Sequence, residues 1–177
     1  MRIIGGRLKG HRFTPPKNTP ARPTTDMAKE GLFNMLYNTY DFSALRVLDL
    51  FGGTGSISYE FASRGCNNIT LVEIDKGNLK FIHNNNQKYQ LGLQIVAQDV
   101  LKFIRTGNCQ QQYDIIFAGP PYAMPQLATL PDLIFEFSLL ATDGLFILEH
   151  NPNHKFTAHP RFTHSRNYGT TIFSFFS

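Results

Sequence analysis

The chain has 177 residues, of which 42% are hydrophobic and 17% charged, and its formal net charge is +4. This length and composition predict one soluble globular domain with a sizeable core, and they exclude a disordered or fibrous protein. The sequence carries no recognisable signal peptide and no apolar run long enough for a membrane helix, so we expect a cytoplasmic protein without a membrane partner.

The first 24 residues are predicted to form a basic N-terminal arm ahead of a main domain over residues 25–177. Residues 1–4 and 12–14 favour strands with a glycine-containing turn between them, and four prolines then exclude a helix. The arm holds no acidic residue, and such a basic hairpin suits contacts with a phosphate backbone. A solvated tail is the alternative. The basic residues of the arm are Arg2, Arg7, Lys9, Arg12, Lys17 and Arg22.

A helix capped by Thr24 or Thr25 precedes a regular alternation of apolar strands and helices. Strands separated by helices predict an α/β fold with a mostly parallel sheet that is covered on both faces. The predicted strands are 45–51, 69–74, 93–97, 113–118, 145–149, 162–164 and 170–176. The predicted helices between them are 56–64, 76–89, a short helix after Asp99 and a helix near 131–140.

The loop after the first strand reads Asp49-Leu50-Phe51-Gly52-Gly53-Thr54-Gly55. Ligands of open parallel sheets bind at the carboxyl ends of the strands, where glycines let them approach the backbone N–H groups of a helix start. A dinucleotide site requires a third glycine, but Ser58 occupies that position. Asp49 would attract the ammonium group of S-adenosylmethionine and repel a pyrophosphate. The loop therefore favours S-adenosylmethionine as the cofactor.

Two further acidic residues follow the next two strands. Glu73 ends the second strand, where its carboxylate can accept hydrogen bonds from both ribose hydroxyls of the cofactor. Asp99 follows the third strand, where it can meet the adenine amino group. Each acid also has a purely structural interpretation: Asp49 as a cap of the turn, Glu73 as a solvated loop acid and Asp99 as a helix N-cap.

The fourth strand ends at Gly119-Pro120-Pro121-Tyr122. Two consecutive prolines stiffen the backbone and keep its carbonyl groups out of the sheet. Such a loop suits a base turned out of its stack, with Tyr122 stacking on the ring and the Pro120 carbonyl accepting a hydrogen bond from an exocyclic amine. The alternative is a rigid turn with Tyr122 in the core.

Together these motifs resemble the RsmD family of bacterial methyltransferases. The resemblance rests on Met1-Arg2-Ile3-Ile4-Gly5-Gly6, on Arg22-Pro23-Thr24-Thr25-Asp26, on the glycine-rich loop with its preceding strand, on Pro-Pro-Tyr, and on Arg166-Asn167-Tyr168-Gly169. It spans nearly the whole chain. It implies a Rossmann-like class I fold with a seven-stranded sheet whose last strand is antiparallel. It also implies methylation of the N2 amine of one guanine in small-subunit ribosomal RNA.

The same resemblance implies the residues of each site. The target loop would be Gly119, Pro120, Pro121 and Tyr122, and the arm would hold the RNA or a partly assembled subunit. Arg22 and Thr24 would lie near the mouth of the active site. The residues expected to surround the cofactor are Asp49, Phe51, Gly52, Gly53, Thr54, Gly55, Glu73, Asp99 and Thr24.

Gly119 departs from the family pattern, which has Asp or Asn before Pro-Pro-Tyr. That side chain accepts a hydrogen bond from the target amine. Losing one positioned partner of the transition state costs on the order of 10²–10³ in rate, by analogy with an oxyanion-hole donor. Three interpretations stay open: a natural loss of activity, an engineered change, and compensation by another group. Asp114 is excluded as that group because it lies at the start of the strand.

Two other classes of function also stay open. One is a non-catalytic protein that binds S-adenosylmethionine or RNA, and the other is a nicotinamide-dependent oxidoreductase. Among methyltransferases, DNA adenine and protein glutamine are alternative substrates. The histidines are irregularly spaced and predict no metal site, and we expect a monomer.

Overall fold

A computed structural model describes residues 1–15, 24–106 and 111–177 of the chain. Seven strands form one sheet in the order β3-β2-β1-β4-β5-β7-β6. The strands are β1 (Arg46–Leu50), β2 (Asn68–Glu73), β3 (Leu93–Ala97), β4 (Tyr113–Ala118), β5 (Leu140–His150), β6 (Phe162–Tyr168) and β7 (Thr171–Phe176). The helices are α1 (Asp26–Tyr37), α2 (Ser56–Ser63), α3 (Lys76–Tyr89), α4 (Val100–Arg105) and α5 (Leu130–Glu136).

The sheet confirms the predicted Rossmann-like α/β fold. Strands β1 to β5 pair in parallel, whereas β7 pairs antiparallel with both β5 and β6. The strand order reverses between β1 and β4, which are neighbours in the sheet although β2 and β3 separate them in the chain. In sheets of this kind the ligand site lies at that reversal, outside the carboxyl ends of the strands.

Both faces of the parallel part of the sheet are covered, because successive apolar residues of its strands point to opposite sides. Strand β6 differs, since most of its residues are exposed. Val47 of β1 packs in one cluster with α1, α2 and α3, while its neighbour Leu48 packs in a second cluster with α4 and α5. This arrangement explains why the strands read as continuous apolar runs rather than as alternating ones.

The prediction was wrong about the bounds of the fifth helix and the fifth strand. Helix α5 ends at Glu136 rather than near Leu140, and β5 begins at Leu140 rather than Leu145. Leu140 pairs with Tyr113 at a bulge in the sheet. The pairing of β5 with β4 therefore makes Leu140 part of a strand, although the local sequence pattern predicts a helix there. Strand β6 likewise runs to Tyr168, beyond the predicted end at His164.

The N-terminal segment forms a hairpin-like loop, but the two predicted strands reduce to one antiparallel bridge between Arg2 and Arg12. The chain turns through a short 3-10 segment at Gly6–Leu8, which leaves no room for a longer ladder. Ile3 and Phe13 are buried in the same core cluster as α1 and α2. The described part of the segment is therefore packed onto the main domain.

No helix within the described ranges is long and apolar enough to cross a membrane. The longest one is α3, whose residues are mostly polar.

Candidate active site

One cavity of about 510 Å³ opens at the carboxyl ends of the parallel strands. This volume falls in the range of small-molecule sites. The cavity brings together almost every residue predicted for the cofactor and the target base, although they come from five separate parts of the chain. The predicted residues that line it are Thr24, Asp49, Phe51, Gly52, Gly53, Thr54, Glu73, Asp99, Gly119, Pro120, Pro121 and Tyr122.

The glycine-rich loop makes a tight turn between β1 and α2. Phe51 has a φ of 65°, an unusual conformation for a residue with a side chain, and Gly53 and Gly55 have φ values of 55° and 82°. Gly55 is the predicted cofactor residue that does not line the cavity. It lies behind the loop as the N-cap of α2, where its backbone N–H donates to the carbonyl of Gly52 at 2.7 Å.

Asp49 is the second-last residue of β1, and its side chain is almost fully buried. Its Oδ2 accepts hydrogen bonds from the hydroxyl of Ser58 at 2.6 Å and from the Ser58 backbone N–H at 3.2 Å. The pKa of Asp49 is raised to about 7, mainly by burial and also by the neighbouring carboxylates Glu73 and Glu149, while the hydrogen bonds from Ser58 lower it. The residue thus caps the turn, as one interpretation expected, and also carries titratable charge into the cavity.

Glu73 is held by backbone N–H groups from two loops that line the cavity. Its Oε2 accepts from Gly53 at 2.6 Å, and its Oε1 accepts from Ile74 and Asp75, each at 2.7 Å. The carboxylate therefore ties the glycine-rich loop to the loop after β2. A carboxylate oxygen can accept two hydrogen bonds, so Oε2 retains capacity for one ribose hydroxyl.

Asp99 both lines the cavity and caps α4. Its Oδ1 accepts from the backbone N–H of Lys102 at 2.9 Å, which is the helix-cap arrangement that the sequence left open. Because one oxygen serves the helix, the other is the atom that can meet an adenine amino group.

The target loop is tied to the sheet at its start and closed by a turn at its end. The backbone N–H of Gly119 donates to the carbonyl of Leu50 at 3.3 Å, and that of Met124 donates to the carbonyl of Pro121 at 2.9 Å. Pro120 is buried and Pro121 is exposed. Tyr122 is half-buried and lines the cavity, so the structure contradicts the alternative that places it in the core.

Sequence reasoning missed Glu149, a buried residue near the end of β5. Its Oε1 accepts a hydrogen bond from the hydroxyl of Tyr122 at 3.1 Å, and its Oε2 accepts one from the hydroxyl of Thr24 at 2.5 Å. An acidic residue at the carboxyl end of an apolar strand was the available signal, as it was for Asp49 and Glu73. Ile74 was also missed; it lines the cavity with 64% of its surface exposed.

The basic residues of the N-terminal segment differ in their contacts. Lys9 and Arg12 are exposed, and Arg2 is half-exposed beside Asp26 at 3.2 Å. Arg7 donates to the carbonyls at the end of α3 at 2.8 and 2.9 Å, so it links the N-terminal segment to this helix. Arg22 lies outside the described residues. Thr54 of the cavity wall contacts the sulfur of Met1 at 3.6 Å, so this basic segment borders the cavity.

The charge of the cavity discriminates between ligands. Asp49, Glu73 and Glu149 are close enough for the latter two to raise the pKa of the first. A group of carboxylates attracts a cationic ligand and repels a pyrophosphate, so the donor set fits the sulfonium and ammonium of S-adenosylmethionine. Within the described residues, no group of three or more His, Cys, Asp or Glu could hold a metal ion.

Comparison with known proteins finds similar sequences over most of the chain. A family model described as Conserved hypothetical protein 95 matches residues 1–177. The chain is 29% identical over 152 residues to the ribosomal RNA small subunit methyltransferase D of Haemophilus influenzae, which corresponds to 84% of this chain and 78% of the relative.

Solved structures share the fold. A hypothetical protein of Thermus thermophilus superposes with a TM-score of 0.87 at 30% identity, covering 99% of this chain and 98% of that one. An S-adenosylmethionine-dependent methyltransferase from Agrobacterium tumefaciens superposes with a TM-score of 0.65 at 22% identity, covering 93% of this chain and 65% of that one. The second likeness concerns the fold alone.

Proposed function

The chain belongs to the RsmD family, the family of the matching model, and from this membership we propose that it methylates the N2 amine of a guanine in small-subunit ribosomal RNA. The observation that carries the proposal is a single cavity with a carboxylate-lined cofactor wall on one side and the Pro120–Tyr122 loop on the other. The cofactor is S-adenosylmethionine, which supplies an electrophilic methyl group when bound.

The chain's own residues hold that cofactor at three points. Asp49 attracts the ammonium of its amino-acid end, Glu73 accepts a hydrogen bond from the ribose, and Asp99 accepts one from the adenine amine. Ile74 covers the adenine ring, because an exposed apolar side chain in a cavity wall gains most from burying a flat apolar partner. The glycine-rich loop permits the close approach of the amino-acid end.

The target guanine enters beside the proline loop. Tyr122 stacks on the ring, and the Pro120 carbonyl accepts one N–H of the amine. The amine nitrogen then bonds to the methyl carbon while the bond from sulfur to that carbon breaks, and sulfur keeps the electron pair. The nitrogen releases a proton to water, so no strong general base is needed. Exposed Lys9 and Arg12 contact the RNA backbone.

Labelled methyl groups are expected to pass from S-adenosylmethionine to 30S particles or small-subunit ribosomal RNA that lack the modification. Nuclease digestion followed by mass spectrometry should find the label as N2-methylguanine at one position. Large-subunit RNA and fully modified 30S particles provide the controls.

Two results would oppose the proposal. If the labelled methyl group were found on adenine, in RNA or DNA, the target amine would not be that of guanine. Cofactor binding without transfer to any of these RNAs would support the non-catalytic alternative instead.

The affinity for S-adenosylhomocysteine is expected to rise about five- to tenfold between pH 6 and pH 7.5. The pKa of Asp49 is raised to about 7, so the carboxyl is mostly neutral at pH 6 and attracts an ammonium only once it has lost its proton. The ionised fraction increases about eightfold over this interval. Isothermal titration calorimetry at both pH values measures the change.

Asp49→Asn provides the matched control, with weaker binding that is independent of pH. The wild-type free protein should also lose stability as pH rises from about 4 to about 7, because the folded state keeps this proton longer than the unfolded chain does. The Asn variant should lack that decline. Equal wild-type affinity at both pH values would refute the assigned role of Asp49.

A further inference from the structure

An exocyclic amine on an aromatic ring is a poor nucleophile because its lone pair is delocalised into the ring. Hydrogen-bond acceptors on its N–H groups hold it in the orientation from which the lone pair can reach the methyl carbon. In the proposed function, one N–H of the target amine donates to the carbonyl of Pro120. Gly119 has no side chain with which to accept the other, so the second acceptor must come from another part of the cavity.

The carboxylates of the cavity wall fall into two groups according to their hydrogen-bond partners. Asp49 faces Ser58 at the start of α2, and Glu73 faces the backbone of the glycine-rich loop. Asp75 caps α3 through the N–H of Asn78 at 2.8 Å, and Asp99 caps α4. All of these contacts lie on the cofactor side. Glu149 differs, since its contacts at 2.5 and 3.1 Å run to Thr24 and to Tyr122 of the target loop.

The sheet register sets Glu149 directly beside Gly119. Ala118 of β4 pairs with Leu148 of β5, so the next residue of each strand lies at the same level. A Cβ atom built on Gly119 would lie 3.8 Å from Oε2 of Glu149. The Glu149 carboxylate therefore occupies the space into which a short acidic side chain at position 119 would project.

We propose that Glu149 is a catalytic residue that accepts the second N–H of the target amine, in place of a side chain at position 119. This inference rests on the proposed function. The hydroxyls of Thr24 and Tyr122 hold the carboxylate from two sides, so that its position is set before the base enters. A carboxylate oxygen can accept more than one hydrogen bond, so Glu149 can accept the amine N–H while both hydroxyls stay in place.

The same arrangement explains why glycine is favoured at position 119 over a larger residue. The Cβ of any larger residue there would stand 3.2 Å from Cε1 of Phe117, closer than ordinary contact. An aspartate would add a second carboxylate next to Glu149, and two like charges at that distance disfavour each other. A single acceptor from β5 avoids both effects.

The test compares methyl transfer by four proteins: wild type, Glu149→Ala, Gly119→Asp, and the double variant Gly119→Asp with Glu149→Ala. Glu149→Ala is expected to lower kcat by on the order of 10²–10³. The double variant should recover at least tenfold of that loss, because the new carboxylate reaches the same place. Gly119→Asp alone should gain nothing over wild type. Glu136→Ala, at an exposed acid of α5, is the matched control.

Calorimetric binding of S-adenosylhomocysteine and thermal melting provide readouts that do not depend on transfer. In Glu149→Ala the affinity for S-adenosylhomocysteine should fall far less than kcat does, because the hydrogen bonds of this residue run to Thr24 and to the target loop, and melting shows whether the variant stays folded. Unchanged transfer by Glu149→Ala would overturn the inference. So would a loss of transfer that is accompanied by lost cofactor binding and is not rescued by Gly119→Asp, since this would indicate a structural role.

The remaining outcomes separate the inference from the function on which it rests. An inactive wild type beside an active Gly119→Asp would overturn the role of Glu149 and keep the methyltransferase. If none of the four proteins transferred methyl groups to unmodified 30S particles, the proposed substrate would be wrong, and so would the inference that rests on it.

Discussion

Replacing Lys29 with methionine is expected to lower the free energy of unfolding by about 3–5 kcal/mol. The ammonium of Lys29 lies 3.2 Å from Oε1 of Glu60, and both side chains are fully buried. Lys29 also donates to the backbone carbonyl of Arg2 at 2.5 Å, while Glu60 accepts from the N–H of Ile4 at 2.6 Å. Removal of the lysine would break the shorter of the two ion pairs of Glu60, leaving the one with Arg64 at 3.4 Å, and would release the N-terminal segment.

Thermal melting followed by circular dichroism measures this effect, and we expect a fall of about 6–20 °C. Adding Glu60→Gln should recover part of the loss. Lys80→Met, at an exposed lysine of α3, is the control and should melt like wild type. A Lys29→Met protein that melts within one or two degrees of wild type would contradict the prediction.

Gly55→Ala is expected to destabilise the protein and to weaken cofactor binding at least tenfold. Its φ of 82° costs an alanine about 1–2 kcal/mol. The new Cβ would also lie 2.6 Å from Cε1 of Tyr59, a ring that is fully buried and cannot move aside, which adds about 1–3 kcal/mol of overpacking. The simplest relief is a shift of the glycine-rich loop, and a displacement near 1 Å is enough to disturb a bound ligand.

Gly10→Ala separates the two contributions. Gly10 has almost the same φ, 83°, but an added Cβ there meets nothing within 4 Å. This control should show the conformational cost alone and should bind S-adenosylhomocysteine as tightly as wild type. Calorimetry and thermal melting on both variants provide the comparison. If Gly55→Ala bound as tightly as Gly10→Ala, Tyr59 would not be the constraint on the loop.

The parallel sheet and its cofactor edge were readable from the sequence. Apolar runs such as 69–74, separated by helices, predict buried parallel strands, and in such sheets the ligand site follows from topology. Asp49 and Glu73 could be placed there because each lies at the carboxyl end of a strand, and the proline loop because it directly follows one. Their signal is local: the residue and the strand end are neighbours in the chain.

The bounds of α5 and β5 could not be predicted in the same way. Residues 137–140 fit the helical pattern as well as an extended one, and the pairing of Leu140 with Tyr113 decides between them. Tyr113 lies in another strand, so a pattern confined to neighbouring residues contains no information about it. The contacts of Arg7 with the end of α3, about 80 residues away in the chain, belong to the same class.

The sequence by itself determined the fold class, the edge at which chemistry occurs and most of the residues that line it. Only the tertiary structure decided that Glu149 faces Gly119 and that Lys29 is buried against Glu60. The physical reason is the same in both cases. Periodicity records which face of a strand or helix is apolar, whereas a contact between polar side chains depends on the register and packing of elements that lie about 30 residues apart.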